Sequence, residues 1–483
     1  MTRKVHAVVA LLFATITMNA QQSINLDLNV KSTNKVPTTK IARGTEFTIN
    51  SVTCDMSNQK GFNYILGITT SDGEMQQIDL SKTRQMPISF SATNKDDYWY
   101  ARSIEYSLPS LASMVDVYSM RNKAEIKANQ FVGTVRNNAL AIEDPYLTAY
   151  INSLLVKINP AQRLDFFKYN FKVMVVKDDE PNAGIYPNGA LVINAGMLAR
   201  IHTEDELVAL LCHEANHFIC NHYLDNLSKI QRREIAGAIG SAVLGTATGI
   251  LTGSASLGLS TTSLSMSVAK DLNALVTAMG LSFNQNQEKE SDQAAVDLLP
   301  LLGYDRNAMA TCIQEIGNYY MEEGNLTAYY MSGSHPKIED RIAATGIPYD
   351  RRDAEFEKKM APCVSYVAQV LYVKGRYSQA MELIEQNISN GAGRGMDYYI
   401  KGECLLASQD SQESNTLARE SLLKARETYT DGLPTLKALI VSDIRLGMQD
   451  EARTFLAEFK ELAKDKEEER IWADGMLMNI GVH

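Results

Sequence analysis

Apolar and polar positions alternate along three short runs near the start of the chain: GTEFTIN (44–50), YILGITT (64–70) and MPISF (86–90). Ser71-Asp72-Gly73 is a turn signal between the second run and the third. A period of two in a β-rich run puts alternate side chains on the two faces of a sheet. Residues 21–120 are therefore expected to form a small β domain, comparable to an SH3-like fold. No catalytic constellation is visible in it.

The period changes after residue 120. FKVMVV (171–176) and ALVIN (190–194) are short apolar strands. HTEDELVALLCHEANHFICNHY follows, in which Leu207, Leu210, Leu211, Ala215, Phe218 and Ile219 recur at helical spacing. Thr203 with Glu206 three positions on is a capping box, so this helix has a marked start. FNQNQEKESDQAAVDLL (283–299) is a second helical pattern, expected to end at Pro300. Residues 121–350 thus read as a mainly helical domain with a short β-sheet.

Two further stretches have their own character. Ile235 to Ala269 holds no charged residue, and Gly245, Gly249 and Gly253 follow one another at four-residue spacing. That spacing permits close helix packing in a membrane. Gly, Ser and Thr dilute the aliphatic residues, however, so a buried or mobile loop-helix region competes with membrane contact. From 354 to 483 the pattern is all-helical. GRYSQAMELI (375–384) and GMQDEARTFL (447–456) share a Gly and then an Ala five positions later. Their glycines lie 72 residues apart, about twice the 34-residue period of tetratricopeptide repeats. CLLAS (404–408) and SNTLARESLLKA (414–425) would form the middle unit. Such a solenoid offers a concave surface to a protein partner; a plain helical bundle is the alternative. The expected fold class is multidomain α+β: a small N-terminal β domain, a mainly helical middle domain with a short sheet, and a C-terminal all-α repeat domain.

Composition narrows the function. The chain has 483 residues, is 45% hydrophobic and 22% charged, and carries a formal net charge of −10. That balance provides no basic face for phosphates, which argues against nucleic acid. The first 20 residues have Arg3 and Lys4 before an apolar run from Val5 to Ile16, with Ala20 where a small residue precedes cleavage. They read as a secretory signal peptide rather than a membrane anchor, because the run is short for a span. Export is therefore expected. Six cysteines remain compatible with disulfides, although Cys212 and Cys220 would stand too far apart on one helix to pair. Buried free thiols are the other reading.

The candidate chemistry lies in HEANH (213–217). His213 and His217 are four residues apart, so both imidazoles project from one helix face, about 6 Å apart at Cβ. That spacing suits two nitrogens on one zinc ion, and Glu214 beside them can take a proton from a metal-bound water. A third protein ligand is needed. Glu288 and Asp292 share a helix face, Glu288 as the candidate ligand and Asp292 as the acceptor that fixes a histidine tautomer. The competing reading of EKESD is an ordinary solvated helix surface. Helical spacing places His222 on the far side from His213, and His202 precedes the cap; both are expected to be structural or exposed. Cys212 and Cys220 point away from the ligand face. In SGSHPKIEDR (332–341), Pro336 suits the first helical position, which puts His335 at a helix entrance, facing a cleft or capping the helix.

HEANH, the E-x-x-x-D frame of EKESD and SHPKIEDR, in that order, resemble the HtpX/BepA-like zinc metallopeptidases, relatives of the CaaX prenyl proteases. NAGIYPNGALVINAGML (182–198) is similar to the strand that precedes the zinc helix there. The resemblance covers roughly residues 125–350 and is to the periplasmic type with C-terminal tetratricopeptide-like repeats. It implies one zinc per chain held by His213, His217 and Glu288, Glu214 as general base and Asp292 behind the ligands. It also implies that His335 approaches the zinc and holds the enzyme latent, and that Leu191, Val192, Ile193 and Asn194 bind substrate by edge pairing. The β domain before residue 120 is not part of that pattern.

The expected function is an exported zinc endopeptidase in envelope protein quality control. Its expected substrates are unfolded or misassembled proteins, with a protein partner on the helical repeats and peripheral membrane contact through 235–269. A non-catalytic, zinc-stabilised chaperone or assembly factor is the rival reading, and an intramembrane protease is a third.

Overall fold

The computed structural model describes residues 21–55, 62–114, 116–166, 171–239, 281, 283–326, 336–408, 410–429 and 432–479. The signal-peptide segment 1–20, His335 and residues 240–269 of the uncharged stretch lie outside the described residues.

The alternating runs form a five-stranded antiparallel sheet: β1 (Gln21–Ser32), β2 (Glu46–Asp55), β3 (Asn63–Thr70), β4 (Met75–Asp79) and β5 (Ile88–Phe90), in the order β4-β3-β2-β1-β5. Phe47, Ile49, Val52 and Cys54 on β2, with Tyr64, Leu66 and Ile68 on β3, fill its inner face. Helical segments α1 (Lys95–Arg102), α2 (Leu108–Ser113) and α3 (Val117–Asn137) follow, and a single π-helical turn, Ser103–Ser107, joins the first two. Ile104, Leu108, Leu111, Val117 and Met120 from this stretch close the sheet's core, together with Tyr223 and Leu224 from much further along. The N-terminal sheet is therefore tied to the middle of the chain by shared apolar burial.

α4 (Pro145–Ile158) leads into a three-stranded sheet of β6 (Lys172–Val176), β7 (Ala183–Ile185) and β8 (Ala190–Asn194), ordered β6-β8-β7. β8 runs parallel to β6 and antiparallel to β7. Five consecutive buried residues mark β8 as the central strand. It passes into α5 (Ala195–Leu198), where Gly196 lies against the loop before β7; a Cβ there would meet the Asp179 carbonyl oxygen at 2.1 Å.

α6 (Glu204–Ile219) is the central helix. Thr203 caps it by accepting from the Glu206 N–H, as the pattern predicts. The return bond differs from a regular capping box: Glu206 accepts from the His202 N–H at 2.9 Å instead of that of Thr203. Every residue from Glu206 to Ile219 is buried. A helix buried all round must satisfy each polar side chain it carries, so His213, Glu214, Asn216 and His217 all need partners from neighbouring elements.

α7 (His222–Ile239), α8 (Gln285–Leu302) and α9 (Ala308–Glu322) pack on α6, and α10 (Ile338–Thr345) packs on α8 and α9. α8 does not stop at Pro300; it continues to Leu302 and ends on Gly303, whose φ of +84° supplies the left-handed terminus. Pro336 likewise stands two residues outside α10, whose cap is Lys337.

The remaining helices are α11 (Ala354–Val373), α12 (Tyr377–Ser389), α13 (Gly395–Ser408), α14 (Gln412–Thr428), α15 (Gly432–Leu446), α16 (Gln449–Leu462) and α17 (Glu467–Asn479). Each packs on the next in sequence. Gly375 and Gly447 make the turns before α12 and α16 at φ +74°, and Ala380 and Ala452, five positions on, are fully buried. α11 also reaches backward: Phe356, Met360 and Cys363 join the core of α6. All six cysteines are buried free thiols. Among the described residues, no helix is long and apolar enough to cross a membrane.

Candidate metal centre

α6 and α8 pack side by side, and Asn216 of α6 donates to the Ser291 hydroxyl of α8 at 3.0 Å. This contact faces the two patterned segments toward each other. His213 Nε2 and His217 Nε2 lie 3.1 Å apart. Glu288 enters from the first turn of α8, with Oε1 3.5 Å from His217 Nε2 and Oε2 3.9 Å from His213 Nε2. One ligand atom from each of the three residues lies within 4.8 Å of the others, and all three residues are buried.

This donor set fits a divalent cation. Two nitrogens bound at 2.0–2.1 Å to one tetrahedral ion stand about 3.3 Å apart, close to the separation found here. Two neutral imidazoles and a carboxylate are also the ligand chemistry of catalytic zinc sites.

Around this centre the polar atoms are held in place. Asp292, one turn after Glu288, puts Oδ1 2.9 Å from His213 Nδ1, although the ring N–H is not aligned on it as in a regular hydrogen bond. Burial opposes protonation of His213, but the Asp292, Glu288 and Glu214 carboxylates outweigh it and raise its pKa. Burial pushes Asp292 up, while Arg341 and His213 pull it down further, leaving it below the ordinary range. The Arg341 guanidinium grips Asp292 in a fork, Nε to Oδ2 at 2.8 Å and Nη2 to Oδ1 at 2.7 Å. Phe283 stacks on the His217 ring at 3.8 Å between centroids and 15° between planes.

Glu214 is buried beside these groups. Burial raises its pKa to about 7, His213 pulls it down, Glu288 pushes it up, and the Ile185 N–H hydrogen-bonds to it and pulls it down again. A cation held by its neighbours would draw it back toward the usual carboxylate range.

The structure thus brings His213, Glu214, His217, Glu288 and Asp292 into one buried cluster, and it corrects two expectations. Leu191, Val192, Ile193 and Asn194 cannot bind a peptide by edge pairing, because β8 is flanked by β6 and β7 and both its edges are used. The strand at the end of this sheet beside Glu214 is β7. Tyr186 and Asn182 of its flanks bond β8 at 2.8 Å and 2.9 Å, so the alternation of an antiparallel ladder turns the backbone groups of Ala183 and Ile185 outward.

His222 is the second correction. It is buried, and its Nδ1 lies 2.9 Å from His217 Nδ1. Helical spacing failed there because the helix ends first. Cys220 is the C-cap of α6, and Asn221 takes a left-handed φ of 56° before α7 begins. Asn after an apolar helix is a known terminator, and that signal could have found the bend. His202, expected to be structural or exposed, is part-buried at the start of α6, with Nδ1 3.1 Å from Glu357.

Arg341 is a residue that the sequence does not single out: it lies in SHPKIEDR, and nothing local there shows that it reaches α8.

Comparison with known proteins places this cluster. Residues 142–346 match the model of Peptidase family M48, a span that contains every residue of the centre. The chain is 27% identical over 216 residues to the beta-barrel assembly-enhancing protease of Escherichia coli K12, covering 44% of this chain and 41% of that one. It is 22% identical over 281 residues to the putative beta-barrel assembly-enhancing protease of Vibrio cholerae, covering 58% and 54%. It is 25% identical over 195 residues to the mitochondrial metalloendopeptidase OMA1 of Schizosaccharomyces pombe, covering 40% and 51%. The matches therefore span about half or less of these relatives' own length.

Proposed function

We infer that this chain, whose residues 142–346 match Peptidase family M48, is a zinc-dependent endopeptidase acting on unfolded or misassembled proteins of the cell envelope. The observation that carries the reading is the convergence of three donor atoms from two helices within 4.8 Å, with a buried carboxylate next in sequence to one of them. His213, His217 and Glu288 would hold the ion. When bound, zinc supplies Lewis acidity, which acidifies water and polarises a carbonyl.

Glu214 takes the proton of the attacking water and passes it to the leaving amine. Its anchor on the Ile185 N–H sets the carboxylate at the end of β7. An extended substrate added antiparallel or parallel to β7 would meet the outward backbone groups of Ala183 and the carbonyl of Ile185 and lie across Glu214. Asp292, locked by Arg341, keeps the His213 ring oriented with its Nε2 toward the centre. Phe283 covers one face of His217 and excludes water there.

The envelope setting rests on the signal-like N-terminus and on the printed names of the bacterial relatives. The helical segment from α11 to α17 would hold partner or substrate through its sequentially packed surface.

The test is cleavage of casein by the purified chain and by Glu214→Gln. The enzyme reading expects cleavage that a chelator abolishes and zinc restores, and a Gln variant that keeps zinc and fold but loses cleavage by about 100-fold or more. Full biological activity of Glu214→Gln in cells would favour the chaperone reading instead.

A further inference from the structure

His213 and His217 are treated differently by their surroundings. Behind His213 stands a carboxylate, Asp292. Behind His217 stands another imidazole: His217 Nδ1 and His222 Nδ1 are 2.9 Å apart. The contact continues outward. His222 Nε2 lies 3.5 Å from Glu290 Oε2, Glu290 Oε1 accepts from Arg102 Nη2 at 2.9 Å, and Arg102 Nη1 donates to Glu105 at 2.9 Å. Arg102, Glu105 and Glu290 line a cavity of about 960 Å³ between the end of the N-terminal sheet and α8.

The proton positions follow from this geometry. Two Nδ1 atoms in contact need one proton between them. If His217 presents a bare Nε2 to the centre, its proton sits on Nδ1 and is donated to His222. His222 Nδ1 must then be bare, which leaves its proton on Nε2, the atom that faces Glu290. Each link in this order has a donor and an acceptor. The reverse order would put the His217 proton on Nε2, where it points at His213 and Glu288 and blocks ligation. The bend at Asn221 makes this arrangement possible. Its side chain donates to the Ser107 hydroxyl at 2.6 Å, which fixes the left-handed turn that brings His222 back onto His217.

We propose that His222 is a positioning residue for His217: it accepts the His217 Nδ1 proton, is itself oriented by the Glu290–Arg102 pair, and thereby sets the tautomer and ring angle with which His217 binds the metal. This rests on the zinc-site reading given above. It assigns a role to Arg102, from the N-terminal segment, in holding the centre together. The partners of ligating histidines in metalloenzymes are usually carboxylates, carbonyls or water, and losing one costs 10–100-fold in metal affinity.

The test measures zinc affinity by competition with a chromophoric chelator, and the visible spectrum after cobalt(II) substitution, for the full chain and three variants. His222→Leu removes the acceptor and is expected to weaken zinc binding by about 10–100-fold and to alter the cobalt spectrum. His222→Asn restores a carbonyl acceptor and is expected to recover most of the affinity. Zinc affinity and a cobalt spectrum unchanged in His222→Leu would overturn the proposal, as would equal losses in the Leu and Asn variants, which mark a packing role only. Should His222→Leu fail to fold, Glu290→Ala supplies the comparison, with several-fold weaker binding expected and unchanged binding counting against the relay. A wild-type chain that binds no zinc would defeat the zinc-site reading itself, an outcome distinct from any difference between variants.

Discussion

Arg341 of α10 holds Asp292 of α8 through two parallel hydrogen bonds of 2.8 Å and 2.7 Å, with both side chains buried. The pair joins two sequence motifs that are far apart in the chain and stands directly behind His213. Its two consequences separate stability from metal binding.

Removing Arg341 leaves a buried carboxylate without its fork. Arg341→Leu is expected to destabilise the fold by about 3–5 kcal/mol, because an uncompensated charge remains. Arg341→Lys keeps the charge but not the planar fork and is expected to fall between the two. Urea unfolding of the metal-free proteins decides; equal midpoints for wild type and the Leu variant would remove the pair from the account of stability.

Asp292→Asn acts on the metal. The amide cannot accept from the His213 ring with the strength of a carboxylate, so zinc affinity should drop about 10–100-fold. Chelator competition checks this. Affinity equal to wild type would mean that His213 needs no partner at Nδ1.

The elements of the fold were largely legible, while the assembly of the site was legible only where a motif is local. Thr203 and the apolar stripe of α6 mark that helix because capping and periodicity act within a few residues. His213, Glu214 and His217 are visible for the same reason. Glu288 and Asp292 could be paired by spacing, but only the packing of α8 on α6 separates a buried cluster from a solvated charge run. β8 read as an apolar strand, yet strand order is a non-local property, and an edge was assigned to what is a sheet centre. His222 was misplaced by one left-handed residue, Asn221, that resets the helical phase.

Glu206 gives a pH dependence away from the metal. Burial raises its pKa to about 7, against the lowering effect of hydrogen bonds from the His202 N–H and the Thr203 hydroxyl. The unfolded chain would ionise it nearer 4.5, so between about pH 4.5 and 7 the unfolded state loses its proton first and stability falls as pH rises. Glu206→Gln does not titrate. Its stability relative to wild type should therefore increase from pH 5 to pH 8, by roughly 1–3 kcal/mol. A difference that stays constant across that range would contradict the assignment.

Two glycines give opposite outcomes for the same substitution. At Gly196 an added Cβ would meet backbone of Asp179 at 2.1 Å and 2.3 Å, so Gly196→Ala must displace the loop before β7 and should cost about 3 kcal/mol or more. At Gly133, inside α3, nothing lies within 4 Å of the new atom, and Gly133→Ala should stabilise by about 0.5–1 kcal/mol. Thermal unfolding of both variants tests the packing behind β8, and a tolerated Gly196→Ala would contradict it.

Zinc-edge X-ray absorption of the purified chain tests the shared centre most directly. Two imidazole nitrogens and further oxygen donors, all at about 2.0–2.2 Å, are the expected shell. A sulfur scatterer at about 2.3 Å, drawn from Cys212 or Cys220, or a shell with fewer than two imidazoles, would show that His213, His217 and Glu288 do not hold the ion together.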